Sequence, residues 1–286
     1  MIEIGRQEMN EIEAKDDILA ALLETAELKL LTFDIHRRRE MNYRHRVFRD
    51  FYMMTYVRRG SAKLKVRDEV YPIPPGTVIL IPPFLEHDQY MDSDEETDFL
   101  WWHFTYKIHQ VFDVLPLFNP PYIYPLHNRE KFERVFDELM EAASGEGSIP
   151  RIILQKAKSL ELLYMLLDNA LGNANAADRD QPSRNFLAVL LKIVSHPEAS
   201  FSLSALAEDM HMNSAYLSNQ FKALFGKPPI MLHREIKISK AKTLLEMRTM
   251  SITEISGYLG FHDLQTFTRL FKKYTGISPT QYRGLF

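Results

Sequence analysis

With 286 residues, 45% hydrophobic and 26% charged, the chain is long enough for two globular domains, each with its own core. It has no cysteine, which excludes disulfides and thiolate metal sites. No apolar run approaches the roughly 20 residues that cross a bilayer, and the start Met1-Ile-Glu-Ile-Gly-Arg-Gln-Glu8 lacks an apolar signal core, so a cytoplasmic protein with no membrane partner is expected. The net charge of −3 hides an asymmetry: residues 184–286 carry 13 Lys/Arg against 7 Asp/Glu (+6), and residues 1–183 carry 22 against 31 (−9). Affinity for phosphate follows the local field, so the C-terminal part has the balance of a nucleic-acid binder despite the acidic whole.

Near the start, the run His36-Arg-Arg-Arg39 reads as a solvated turn, or as an arm reaching the C-terminal domain. Residues 43–106 then read as short strands. Phe51–Val57 is β-branched and aromatic, Arg59-Gly60 is a turn, Ala62–Val66 alternates with period two, and Thr77–Ile81 stops at Pro82-Pro83. After a polar loop, Asp92–Asp98, comes another strand, Phe99–Tyr106. Such spacing predicts a small antiparallel barrel or sandwich.

From about Glu130 the period becomes helical. Phe132, Val135, Phe136 and Leu139 form one apolar stripe. Beyond the loop 143–148, with Pro150 in a first turn, Ile152, Ile153, Leu160, Leu163, Leu166 and Leu167 mark a long amphipathic helix. The polar tract Gly172–Ser183 reads as a linker.

The last hundred residues contain one pattern twice. Leu203, Ala207 and Met210 recur 49 residues later as Ile252, Ser256 and Leu259. After a break, Leu217, Phe221 and Lys222 recur 50 residues later as Phe267, Phe271 and Lys272. Each copy predicts a short helix, a tight turn and a second short helix, the shape of a helix-turn-helix that lays its second helix in the DNA major groove. A helix from Ile230 to Met247 joins them.

Gly260-Phe261, Phe267, Arg269, Phe271-Lys272-Lys273, Gly276, Ser278-Pro279 and Gln281-Tyr282-Arg283 resemble the closing motif of the AraC/XylS family of bacterial transcription regulators. The chain departs from the family at Pro228-Pro229, Leu232, Lys237 and Ser256, on the connector and packing faces. More loosely, Tyr56–Gly60, Tyr71–Gly76, Ile81-Pro-Pro83, His87 and Trp102-His-Phe104 are similar to the cupin-type sensory barrel that many members carry. The resemblance implies an α+β protein: an N-terminal antiparallel, cupin-like β-barrel with following helices, then an all-α double helix-turn-helix domain. The expected divisions are a ligand-sensing domain at 1–130, a helical dimerisation segment at 131–172, a linker at 173–185 and the DNA-binding domain at 186–286. The implied protein is a ligand-responsive, sequence-specific regulator, commonly an activator, of sugar or carbohydrate genes. Its partners would be double-stranded promoter DNA, a small effector such as a sugar, RNA polymerase and a second copy of itself, with no cofactor or catalytic residue.

By position in that motif, Ser214, Ala215, Ser218 and Asn219 of the first recognition helix and Leu264, Gln265, Thr268 and Arg269 of the second face DNA. Asn and Gln suit adenine, and Arg suits guanine or phosphate. Lys222, Lys272 and Lys273 suit phosphate, which positions without specifying. The same residues would otherwise be a plain solvated face. Tyr56, Arg58, His87, Trp101, Trp102 and His103 are the candidate ligand contacts, core packing being the competing role for each. The alternative function is a metal-dependent cupin enzyme fused to a helical domain, but the strands offer only His87 and His103, fewer ligands than such a centre needs.

Overall fold

Period-two alternation in the first half yields ten strands among the described residues, which are 15–91, 95–144, 148–172 and 183–286 of this computed structural model. They are β1 (Ala26–Arg38), β2 (Asn42–Arg46), β3 (Tyr52–Arg59), β4 (Ala62–Val66), β5 (Glu69–Ile73), β6 (Thr77–Ile81), β7 (His87–Tyr90), β8 (Thr97–Ile108), β9 (Phe112–Asp113) and β10 (Ile123–Pro125). One sheet has the order β1-β8-β3-β6-β10, with β9 against β8; the other is β2-β7-β4-β5. Met53 and Val57 of β3, Ile79 and Ile81 of β6 and Phe99 of β8 share a core with Leu64 and Val66 of β4 and Ile73 of β5, so residues of both sheets close over one apolar interior.

β1 corrects the reading of His36–Arg39 as a solvated turn or arm: a strand runs to Arg38. Two helices follow the strands, α2 (Arg129–Ser144) and α3 (Ile149–Gly172), and they pack on each other. Phe132, Val135, Phe136 and Leu139 are buried as their spacing predicts. The expected stripe of α3 divides instead. Leu163 and Leu166 are buried, while Ile152, Ile153 and Leu160 are exposed together with Ile149 and Tyr164. Within the expected linker 173–185, residues 173–182 lie outside the described residues, and Ser183 already stands at the N-cap of the next helix.

The chain divides into two compact units, and neither is continuous in sequence. Among the described residues, one is drawn from 28–106 and 118–172, the other from 15–27, 107–117 and 183–286. The second contains α1 (residues 15–24), the turn between β8 and β9, and the helices α4 (Arg184–Ser195), α5 (Leu203–Asp209), α6 (Ser214–Phe225), α7 (Pro229–Met247), α8 (Ile252–Tyr258), α9 (Leu264–Thr275) and α10 (Pro279–Arg283). The turn is bonded to these helices: His109 Nε2 lies 2.7 Å from the Val194 carbonyl, Ser239 Oγ donates to the His109 carbonyl at 2.6 Å, and the Phe112 and Phe225 ring centroids are 5.9 Å apart.

α5–α6 and α8–α9 are the two expected helix-turn-helix motifs, and their turns match bond for bond. His211 N donates to Glu208 O and Met212 N to Ala207 O; 49 residues later Gly260 N donates to Gly257 O and Phe261 N to Ser256 O. The turn needs a left-handed residue, which is His211 at φ 53° in the first motif and Gly260 at φ 66° in the second. Gly260 has a second constraint, because a Cβ there would lie 2.3 Å from the Glu198 carbonyl oxygen. Both second helices are capped alike. Asn213 Oδ1 accepts from Ala215 N (2.8 Å), Asp263 Oδ1 accepts from Thr266 N (2.6 Å), and Gly226 and Gly276 close the C-termini in left-handed conformations.

α7 packs against α4, α6, α8, α9 and α10. Its Ile238, Ala241 and Leu245 join Ile255, Leu259, Phe267 and Phe271 in one core. His233 of α7 is stacked 5.2 Å from Phe201, and burial above all, then the Lys237 charge, pushes its pKa down to about 4.

Stability measurements on the full chain test these assignments. Gly260→Ala is expected to cost more than the roughly 1–2 kcal/mol of left-handed strain alone, since the carbonyl of Glu198 blocks relaxation. Phe267→Ala is expected to cost about 3–5 kcal/mol for a fully buried ring, and Asn213→Ala about 1 kcal/mol for a lost cap. His233 binds its proton near pH 4 when folded and near 6.5 when unfolded, so its contribution is complete above pH 6.5 and is lost as pH falls towards 4. Over that window the melting temperature should fall, and His233→Leu should make the fall shallower.

Candidate nucleic-acid interface and ligand cavity

The two second helices bury one stripe and expose the other. In α6, Leu217 and Phe221 point inward; Ala215, Asn219 and Lys222 are exposed, and Ser214 and Ser218 are half-buried. In α9, Phe267 and Phe271 point inward; Leu264, Gln265, Arg269, Lys272 and Lys273 are exposed and Thr268 is half-buried. Every side chain expected to reach DNA therefore retains access to solvent. Arg269 and Lys273 also line a groove with Arg234 and Lys237, and no carboxylate lines it among the described residues. Arg234 and Lys237 were not among the expected contacts. They lie on the connecting helix, where neither repeats in the other motif, so the duplication gives no signal for them.

Over the first unit's core lies a cavity of about 230 Å³. The alternation of the strands decides which side chains reach it. β8 contributes Phe99, Trp101 and His103, β3 contributes Met53 and Thr55, β7 contributes Gln89, and β1 contributes His36 and Arg38, with Met41 just beyond. The register places Met53 opposite His103 and Thr55 opposite Trp101. Tyr43 and Arg46 of β2 both line the cavity although they stand three positions apart. A strict strand would send them to opposite faces. Here the pairing with β7 slips between Tyr43 and Arg46, with His45 at φ 51°, and the bulge brings Arg46 back to the cavity side.

His103 Nδ1 is 3.0 Å from Thr32 Oγ1, and burial, with Arg46 nearby, pushes its pKa down to about 4, so the ring is neutral at pH 7. The Trp101 Nε1–H is buried and has no hydrogen-bond partner among the described residues. Arg38 reaches His36 Nδ1 at 3.2 Å, and His36 Nε2 lies 3.3 Å from Asp34.

Of the six expected ligand contacts, Trp101 and His103 line this cavity, and four do not. Trp102 points to the opposite side of β8, where it is fully buried edge-on to Phe104. Tyr56 lies one step out of phase with Thr55, and its hydroxyl donates to Glu133 Oε1 at 2.7 Å. Arg58 pairs with Glu133 (3.1 Å) and Asp137 (2.9 Å), both on α2. His87 shares a face of β7 with Gln89 and is as deeply buried, but it lies outside the lining, its ring 5.5 Å from Phe48 and its Nδ1 3.0 Å from the Leu85 carbonyl. Conversely, His36, Arg38, Tyr43, Arg46 and Gln89 were not expected. The i, i+2 spacing of His36 and Arg38 was the available signal; the bulge at Arg46 leaves none. Among the described residues no three His, Asp or Glu side chains converge as a metal centre would require. Nor is any helix among them long and apolar enough to cross a membrane.

Comparison with known proteins covers both parts. Residues 30–164 match the family model described as an AraC-like ligand binding domain, and residues 206–284 match a helix-turn-helix domain. The arabinose operon regulatory protein of Escherichia coli strain K12 is 24% identical over 244 residues, which are 82% of this chain and 80% of that protein. The MmsAB operon regulatory protein of Pseudomonas aeruginosa is 25% identical over 283 residues, 93% of this chain and 88% of that one. Among solved structures, ToxT from Vibrio cholerae aligns over 89% of this chain and 98% of its own, at 16% identity and a TM-score of 0.36. The arabinose and MmsAB relatives are operon regulatory proteins. An AraC-like ligand-binding domain followed by paired helix-turn-helix motifs means that this chain belongs to the AraC/XylS family of transcriptional regulators.

Proposed function

We propose that the chain works in the cytoplasm as a homodimer that reads promoter DNA through α6 and α9 and responds to a small effector in the cavity of its first unit. The observation that carries this reading is the pair of turns matched bond for bond, each presenting an exposed polar helix and both packed on α7. At 1.5 Å per residue, the 19 residues of α7 span about 28 Å, comparable with the roughly 34 Å between successive major-groove faces. Asn219, Gln265 and Arg269 would read base edges, with Ser214, Ala215, Ser218, Leu264 and Thr268 adding shape and weaker contacts. Lys222, Lys272 and Lys273 would hold phosphates. The exposed stripe Ile149, Ile153, Leu160 and Tyr164 on α3 suits a matching helix of a second copy, since apolar side chains at that spacing gain by leaving water. The operon name of the arabinose relative favours a carbohydrate effector. An effector that prefers one dimer arrangement would shift which half-sites are occupied, and hence whether RNA polymerase is recruited.

Gel-shift titration of the full chain on fragments of its own promoter region is the test. Binding should be sequence-preferring and should weaken steeply with salt. Arg269→Ala should cost about 1–3 kcal/mol and relax preference at one base pair, whereas Lys272→Ala should weaken all sequences alike and lower the salt slope by about 1. Binding without sequence preference, or untouched by Arg269→Ala, would end the proposal. Sedimentation should show a dimer that Ile153→Glu with Leu160→Glu converts to monomer.

A further inference from the structure

Among the residues around the cavity, Arg38 and Arg46 differ from their neighbours in how their charge is met. Arg37 pairs with Asp98, Arg39 with Glu96, Arg44 with Asp88, and Arg58 with Glu133 and Asp137. Arg38 and Arg46 pair with none, and no Asp or Glu lines the cavity among the described residues. Among the described residues, Asp34 reaches this cluster through His36 rather than directly. Both guanidiniums instead flank the Tyr43 ring, at 5.8 and 4.2 Å from its centroid, and Arg46 also lies 4.9 Å from that of Phe48. Two like charges thus share a half-buried, aromatic-walled space. Burial, and after it the opposing pull of Tyr43 and the repulsion of Arg38, act on Arg46, and the net effect is to disfavour its charge. A guanidinium does not escape by losing its proton, so the fold holds a positive potential that an incoming anion compensates.

Resting on the reading of this cavity as the effector site, we propose that the effector is a small polyhydroxylated anion, with its acidic group held by Arg38 and Arg46 and its ring against Trp101. A neutral sugar would leave both guanidiniums uncompensated. An acidic group meets their planar N–H forks with charge-assisted bonds. Trp101 supplies ring surface, and Gln89, Thr55 and His103 supply polar atoms for hydroxyls. The volume of about 230 Å³ is that of roughly eight waters at ~30 Å³ each, room for a molecule of monosaccharide size. A sugar carboxylate and a sugar phosphate share this chemistry.

The full chain at pH 7 should be titrated with D-galacturonate, D-glucuronate and D-glucose 6-phosphate, and with galactose and glucose as neutral parents. Tryptophan fluorescence and melting temperature are the readouts, because Trp101 lines the cavity. At least one anion should bind and raise the melting temperature, less so at high salt, while the parent sugars stay silent at the same concentrations. Arg46→Gln and Arg38→Gln should each weaken that anion at least tenfold, and the comparison of anion with parent sugar stands even if one variant folds poorly. The two kinds of acid are separated by which of the three responds. Neutral sugars binding as well as the acids, anion binding unchanged in both variants, or no response to any of the three anions would overturn the proposal. Promoter binding by the same preparation, measured alongside, separates the two failures: its absence would count against the regulator, not against the charge of the cavity.

Discussion

The geometry of the DNA-facing part depends on the burial of α7 by both helix-turn-helix motifs. α5 and α8 have seven residues each, too few to persist on propensity and hydrogen bonds alone. Their stability comes from tertiary packing: α5 lies against α6 and α8 against α9 and α7, and α6 in turn packs on α7, so the two motifs meet on one helix. Hence α7 cannot have the single apolar stripe of a surface helix. Leu232, Ile236, Ile238, Ala241 and Leu245 are buried around it, and His233 and Lys237 are drawn into the interior with them. Once both motifs are seated on one rigid helix, the spacing of α6 and α9 is set by helical rise and not by a flexible connection.

The same requirement, that a buried polar or charged group needs a partner, organises the first unit. Most of its interior is apolar and drawn from both sheets. Where charge does enter, at Tyr56–Glu133 and Arg58–Asp137, each group is matched across strand and helix. The cavity departs from that pattern with Arg38 and Arg46, which pair with no carboxylate among the described residues, and it does so where a ligand has room to complete the set. The bulge at His45 is part of this arrangement, because without the slip Arg46 would face the other side of β2.

The two copies of the helix-turn-helix show how much sequence variation one backbone turn accepts. The turn hydrogen bonds are the same, yet the left-handed position is His211 in one copy and Gly260 in the other. The difference follows from surroundings. At Gly260 the carbonyl of Glu198 occupies the space a Cβ would need, so that copy tolerates no side chain, whereas His211 is exposed and bears only the left-handed strain.

Taken alone, the sequence determined the duplicated motifs, the stripe of α2 and the two-part α+β organisation, because each is written in local periodicity of 2 or 3.6. It also identified the exposed faces of α6 and α9, since a helix buried on one side must expose the other. Tertiary structure alone decided the rest. Trp101 rather than Trp102 reaches the cavity because of strand register, and Tyr56 and Arg58 turn to α2 because the helix supplies Glu133 and Asp137. Arg46 joins Arg38 through a bulge, and Lys107–Leu117 groups with the helices through His109. These outcomes depend on contacts between residues far apart in the chain, and no local pattern encodes a partner that folding has yet to bring near.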